Sequence, residues 1–226
     1  MKPGEGELNT GQEKRACESV YKSLLEFHGK RNWWPGDSRF EIMVGAILTQ
    51  NTAWRNVEKA IDNLKQANAL SPEALMSLHH RRLASLLRPS GYYNVKTKRV
   101  RAFCQWLLQN NGADSLEKWQ TAKLRKALLS VHGIGPETAD DILLYAFNRK
   151  VFVVDAYTRR IFSRLGVLTG DETYEDIRAM FEKVLKSSVG LFNEYHALIV
   201  IHGATICKSR PDCKNCILSK QCNYNS

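Results

Sequence analysis

Long hydrophobic runs are missing from this 226-residue chain: Ile42 to Leu48, the longest, spans seven residues, far short of the roughly 20 that cross a bilayer. A membrane-spanning helix is therefore not expected. The stretch Met1 to Arg15 is polar and rich in glycine and glutamate, with no apolar core of a targeting signal, and reads as a frayed tail. Strand-like alternation is nearly absent, and no repeat or low-complexity tract occurs. Outside the last twenty residues cysteine is confined to Cys17 and Cys104, each isolated, as small buried hydrophobes usually are. Acidic residues are in deficit. The 23 Asp and Glu against 33 Lys and Arg leave a formal charge of +10 and a pI near 9.4, which points to a polyanionic partner but also fits an anionic membrane surface.

What the chain does have is a cysteine cluster near its end. Cys207, Cys213, Cys216 and Cys222 follow the spacing C-x5-C-x2-C-x5-C. Disulfide frameworks belong to small secreted domains, and nothing here suggests secretion, so four thiols in one loop read as ligands of a shared centre. Zinc or an iron-sulfur cluster could fill it. Structural zinc usually takes two close pairs on a longer arm, whereas here one close pair is flanked by single cysteines, a spacing better suited to a cubane. Lys208, Arg210, Lys214 and Lys220 make the loop too polar for a core of unrelated thiols. A reducing cytoplasm, or the nucleoid within it, is the expected compartment.

Helical periodicity dominates from residue 16 onward. Apolar residues recur at three and four in Val20, Leu24 and Phe27, in Phe40, Val44, Ile47 and Leu48, and in Val57, Ile61 and Leu64. Breaks fall at Gly36-Asp37, at Ser71-Pro72, where Ser caps and Pro opens a helix, at Pro89-Ser90-Gly91 and at Gly133 to Pro136. The short connections imply a compact all-α protein. Val151 to Val154 is the one candidate strand, and it reads equally as a buried loop feeding a helix from Ala156 to Leu165 that Gly166 ends.

Leu124 to Ser130 and Glu137 to Phe147 form a helix, a hairpin and a second helix around Val131-His132-Gly133-Ile134-Gly135-Pro136. Gly133 and Gly135 permit a tight turn with bare N-H groups outward, Ile134 plugs inward, and Pro136 suits the first turn of the following helix. Such a terminus binds phosphate without reading sequence, although an ordinary glycine-rich turn would look the same. Asp155 stands twenty residues past Gly135, before a helix. By position alone it is an N-cap.

Taken together, the hairpin, the segment Val153-Val154-Asp155-Ala156-Tyr157-Thr158-Arg159-Arg160, the approach Tyr195-His196-Ala197-Leu198-Ile199-Val200-Ile201-His202-Gly203 and the cysteine loop resemble the endonuclease III superfamily of DNA glycosylases, over roughly residues 20 to 224. The first cysteine gap is one residue shorter than that family's usual one. The resemblance implies a 4Fe-4S cluster on the four cysteines, double-stranded DNA with a damaged base as partner, a monomer, and Asp155 as the catalytic carboxylate. Bifunctional members carry a lysine where this chain has Glu137, and a carboxylate forms no Schiff base. That implies base release without strand nicking. Glu137 also suits a helix's first turn.

Three of the five tryptophans fall within 22 residues. Trp33-Trp34-Pro35, with Gln50-Asn51-Thr52-Ala53-Trp54, resembles the 3-methyladenine branch, in which these positions line the flipped-base pocket; a core patch is the plain alternative. Gln50 matches the family's gap-filling residue and Tyr92 its wedge in the opposite strand. On residues alone they are a polar helix end and a packed loop aromatic. Lys96, Lys98, Arg99 and Arg101 could track phosphates or form a solvated helix face, and Lys208, Arg210 and Lys214 are expected at phosphate.

The expected architecture is an all-α, two-lobed helix-hairpin-helix glycosylase fold, with a six-helix lobe over 38–145 and a discontinuous cluster lobe from 1–37 and 146–226. The expected activity is excision of alkylated, cationic purines such as 3-methyladenine. Two rival readings are a glycosylase for oxidised pyrimidines or mismatched bases, and a non-enzymatic cluster-bearing DNA-binding protein.

Overall fold

The computed structural model describes residues 9–31, 33, 36–186 and 188–224, and among them it contains helices and no strand. The expected all-α class is what is observed. The chain divides into two compact units, one of Trp34–Arg149 and one of Met1–Trp33 with Lys150–Ser226. Among the described residues no helix is long and apolar enough to cross a membrane.

The continuous unit holds α2 (Arg39–Leu48), α3 (Trp54–Gln66), α4 (Pro72–Ser77), α5 (His80–Leu86), α6 (Tyr93–Gln109), α7 (Gly112–Glu117), α8 (Thr121–Leu129) and α9 (Pro136–Asp141). The periodic positions read from the sequence are its core: Val44, Ile47 and Leu48 of α2 are fully buried, as are Val57 and Leu64 of α3. Burying each such side chain contributes about 1.5–3 kcal/mol. Ser71 caps α4 through Ala74 N at 3.2 Å, with Pro72 opening the helix. The helix after the hairpin is less regular than its pattern suggests. Following α9 the chain widens into a π turn over Ile142–Ala146, all five residues buried.

The discontinuous unit holds α1 (Thr10–His28), α10 (Ala156–Arg164), α11 (Tyr174–Val184) and α12 (Val189–Thr205). Val151 to Val154 is a buried loop. Its backbone finds side-chain partners in place of a sheet: Phe152 N donates to Glu182 Oε1 at 3.0 Å and Val154 N to the Tyr174 hydroxyl at 3.4 Å. Phe152 stacks on Phe181 with centroids 4.1 Å apart and meets Phe192 and Tyr195 edge-on. This aromatic core fixes the loop that delivers Asp155. Cys17 and Cys104 are buried, as expected of isolated thiols, and burial pushes each up to about 12.

Lys96 departs from its expected role. It is 1% exposed, and its ammonium donates to Leu48 O at 2.7 Å, Thr52 Oγ1 at 2.6 Å and Ser90 O at 2.6 Å. Burial, and then the Arg99 guanidinium, lower its pKa to about 8. The three acceptors use all three N-H groups of the cation, so Lys96 is not available to phosphate. Arg101 is likewise engaged, donating to Leu78 O at 3.0 Å. Lys98 stays exposed. Lys96→Met keeps the stem but orphans three acceptors, and should cost about 2–3 kcal/mol, a fall in Tm on the order of 5–10 °C by calorimetry. An unchanged Tm would mean that the buried ammonium does not organise this corner.

Candidate functional site

In the continuous unit, the expected hairpin turns at Gly133 and is joined by Gln50. Gly133 has φ +84°, a left-handed conformation that favours glycine. A Cβ there would meet the Arg99 side chain at 2.3 Å. Ile134 is buried, while Gly135 is exposed with nothing near its Cα that a Cβ would strike. Behind the turn, Arg125 grips the fully buried Asp140 with two bonds of 2.7 and 3.0 Å, tying α8 to α9.

Gln50 is bonded to the hairpin itself. Its Nε2 donates to Gly133 O at 3.0 Å and Thr138 Oγ1 at 2.9 Å, and its Oε1 accepts from Arg99. Arg99 therefore positions Gln50, a contact that a periodicity argument over α6 does not reveal. Tyr92 is 72% exposed and has φ +44°. The other non-glycine residues with positive φ are asparagines, whose short side chains tolerate that region, so an exposed tyrosine held there marks a strained, outward-facing aromatic. Glu137 lies exposed in the first turn of α9. Trp54, at the start of α3, is half-buried against Gly45, with Nε1 donating to Glu58 Oε1 at 3.0 Å.

In the discontinuous unit, Asp155 is the N-cap of α10, as its position suggests. Its Oδ1 accepts from Thr158 N at 2.7 Å and Thr158 Oγ1 at 2.8 Å. Its Oδ2 faces His196 Nε2 at 3.8 Å, and both residues are buried. Burial lowers the His196 pKa, with Asp155 pulling the other way. Burial dominates and favours the neutral imidazole. Trp33 stacks on His196 at 6.2 Å and 18°. Trp34 and Pro35, the other members of the expected aromatic pocket, lie outside the described residues.

Cys207, Cys213, Cys216 and Cys222 line one cavity of about 390 Å³, with Arg164 and Tyr224 on its walls. Asp212 N donates to Ile206 O at 3.0 Å, closing the shortened first gap into a compact loop. Among the described residues no three of His, Cys, Asp or Glu are grouped as a single metal ion requires. Zinc needs its sulfurs about 2.3 Å from one point, whereas a cubane takes one thiolate at each of four corners. Four thiols lining one cavity are the donor set that such a cage takes. Arg164 donates to Cys207 Sγ at 3.2 Å, Lys208 O at 2.7 Å and Ser209 O at 3.1 Å. His202 Nε2 lies 3.4 Å from Cys216 Sγ. Local sequence pattern does not reveal these supports; the one signal for His202 is its place five residues before the first cysteine. Lys208, Arg210 and Lys214 are exposed on this loop.

A family model described as HhH-GPD superfamily base excision DNA repair protein matches residues 44–187. Over 207 residues the chain is 46% identical to a Methanocaldococcus jannaschii protein named provisionally as a DNA repair glycosylase, covering 90% of this chain and 94% of that one. Endonuclease III of Sulfolobus acidocaldarius is 31% identical over 187 residues, 82% of each chain. Among solved structures, the H. pylori 3-methyladenine DNA glycosylase bound to 1,N6-ethenoadenine aligns with a TM-score of 0.71 at 29% identity, covering 86% of this chain and 97% of that one. These matches bear out the resemblance to endonuclease III relatives. Gly133→Ala should displace Arg99 and loosen Gln50, costing more than about 1 kcal/mol of stability and weakening binding to duplex DNA in a titration at fixed salt. Wild-type affinity in that variant would separate the hairpin from the DNA interface.

Proposed function

As the chain belongs to the HhH-GPD superfamily of base excision DNA repair proteins, and so is a DNA glycosylase, we propose that it excises alkylated, cationic purines and leaves the strand intact. The observation that carries the chemistry is the geometry of Asp155. One carboxylate oxygen is fixed by two donors of Thr158 while the other faces a buried imidazole beyond hydrogen-bond range. A carboxylate held in that way stabilises the positive charge that develops on the sugar as the glycosidic bond breaks, and orients or deprotonates the attacking water. Extruding the nucleotide costs a few kcal/mol, and Gln50 and Tyr92 are the residues proposed to occupy the gap and brace the opposite strand.

Alkylation at N3 of adenine or N7 of guanine makes the base cationic. It then departs as a neutral molecule, so no general acid is required. Indole faces attract such a cation by about 0.5–2 kcal/mol over a neutral base, and Trp33, Trp34 and Trp54, with Pro35, are the residues proposed for that role. Glu137 stands in the hairpin's second helix where Schiff-base chemistry would need an amine. The H. pylori neighbour supports the specificity by its described substrate class. Cys207, Cys213, Cys216 and Cys222 are the proposed ligands of a 4Fe-4S cluster, with Gly133, Ile134, Gly135, Lys208, Arg210 and Lys214 at phosphates. When bound, the cluster supplies iron-thiolate bonds that pin the loop carrying these cations.

Incubation with a methylated duplex, chromatography of released bases and a separate alkali step test the whole reading. Methylated purines should appear, and strand breaks only after alkali. Asp155→Asn should slow single-turnover release on the order of 100-fold or more with DNA binding retained, and borohydride should trap no adduct. Release from mismatched or oxidised pyrimidine sites instead, or efficient trapping, would sink the proposed specificity or the monofunctional mechanism.

Trp54→Ala should remove stacking worth about 1–3 kcal/mol, roughly five- to 150-fold in single-turnover efficiency, and Trp54→Phe should retain much of it. A purely structural Trp54 predicts the reverse: a Tm lower by several degrees with excision unchanged in the folded fraction.

A further inference from the structure

A chain of three polar side chains links the end of α1 to the cysteine cavity. His28 Nε2 lies 3.1 Å from His202 Nδ1, and His202 Nε2 lies 3.4 Å from Cys216 Sγ. His202 is fully buried in the last turn of α12. Its ring meets His28 edge-on at 5.3 Å and 75°, and Phe27 at 6.3 Å and 84°. Phe27 belongs to the apolar pattern of α1 yet stays 44% exposed, because it covers this histidine pair instead of entering the core.

We infer that His202 is a positioning residue for the cluster, its Nε2-H donating to the Cys216 thiolate, and that His28 of α1 holds the tautomer which makes this bond possible. The inference rests on the cluster reading given above. A metal-bound thiolate has no proton and only accepts, so the hydrogen sits on His202 Nε2. A neutral imidazole then has Nδ1 as its sole acceptor, and Nδ1 takes the hydrogen of His28 Nε2. Removing the His28 donor frees His202 to carry its hydrogen on Nδ1 and turn a lone pair toward the sulfur, which the thiolate repels. Second-sphere donors orient ligands, and hydrogen bonds to cluster sulfurs set reduction potential.

A bond that withdraws electron density from the sulfur favours the more reduced cluster. The Arg164 bond to Cys207 is a poorer test of the same effect, because that side chain also ties down the loop backbone. His28 is 174 residues from His202 in sequence and contributes no atom to the loop. The amino-terminal helix thereby acts on the electronic state of a centre built entirely from the carboxy-terminal segment.

The test is the midpoint potential of the purified full chain, with iron and sulfide content measured on the same samples. His202→Leu and His28→Leu should each lower the potential, shifting the oxidation equilibrium about tenfold, or about 59 mV for a one-electron couple. His28→Gln keeps an N-H at the same reach and should restore most of the shift. If buried His202→Leu does not fold, the two partly exposed His28 variants still decide. Equal potentials in wild type, His28→Leu and His28→Gln, all with full clusters, overturn the inference alone. Anaerobically purified wild type without iron and sulfide overturns the cluster reading and the inference with it.

Discussion

The buried ammonium of Lys96 is the constraint on which one corner of the continuous unit, the one proposed to face DNA, depends. It closes the carboxy-terminal end of α2 through Leu48 O, holds Thr52 in the turn that follows, and takes Ser90 O from the turn before α6. Those turns carry Gln50, Trp54 and Tyr92. A cation at a helix carboxy-terminus is favoured by the helix dipole, and full use of its donors offsets the cost of taking it out of water. One desolvated charge thus sets the spacing of three side chains assigned to the flipped nucleotide, the gap it leaves and the opposite strand. A rigid polar node suits the task better than apolar packing, since hydrogen-bond directions fix positions that van der Waals contacts leave adjustable.

The geometry of Asp155 makes its capping role compatible with the catalytic role proposed for it. The cap engages Oδ1 and leaves Oδ2 outside the helix ladder. Packing behind it is apolar and aromatic, and burial favours the neutral form of the nearby imidazole. Among the described residues its side-chain partners are Thr158 and this imidazole, and in the proposed reaction a carboxylate charge of that kind acts on the transition state in preference to the ground state. Phe152, stacked on Phe181, anchors the loop that makes this geometry rigid.

Much of this was legible from local pattern. Three- and four-residue periodicity located the buried faces of α2 and α3, Ser71-Pro72 marked the start of α4, and two glycines around Ile134 marked the hairpin. Each of those signals is carried by neighbours in sequence. Contacts across long separations were not legible: Lys96 looked like one member of a phosphate-facing run, because a basic stretch on a helix gives no sign of which member points inward. Phe27 looked like core for the converse reason. Its period is right, but the surface it covers is a histidine pair contributed in part by α12, and Arg99 was invisible as a partner of Gln50 for the same cause.

The cysteine loop is an electrostatic problem before it is a ligand set. Burial raises the pKa of Cys216, and the charges of Cys207, Cys222 and Cys213 raise it further, so four thiolates around one cavity repel one another unless a cation sits among them. The protein's own cations are already directed there: Arg164 reaches one sulfur and, with Arg160, the backbone carbonyls leading out of it. These bonds offset negative charge at one sulfur and along the loop backbone. The iron-sulfur cluster proposed for these cysteines would supply the positive charge among the sulfurs, and its binding energy would become folding energy for the loop. Lys208, Arg210 and Lys214 are exposed on this loop, so in the proposed reading the ligation that fixes the loop would also fix where three positive charges stand, against a mutual repulsion that disfavours holding them together.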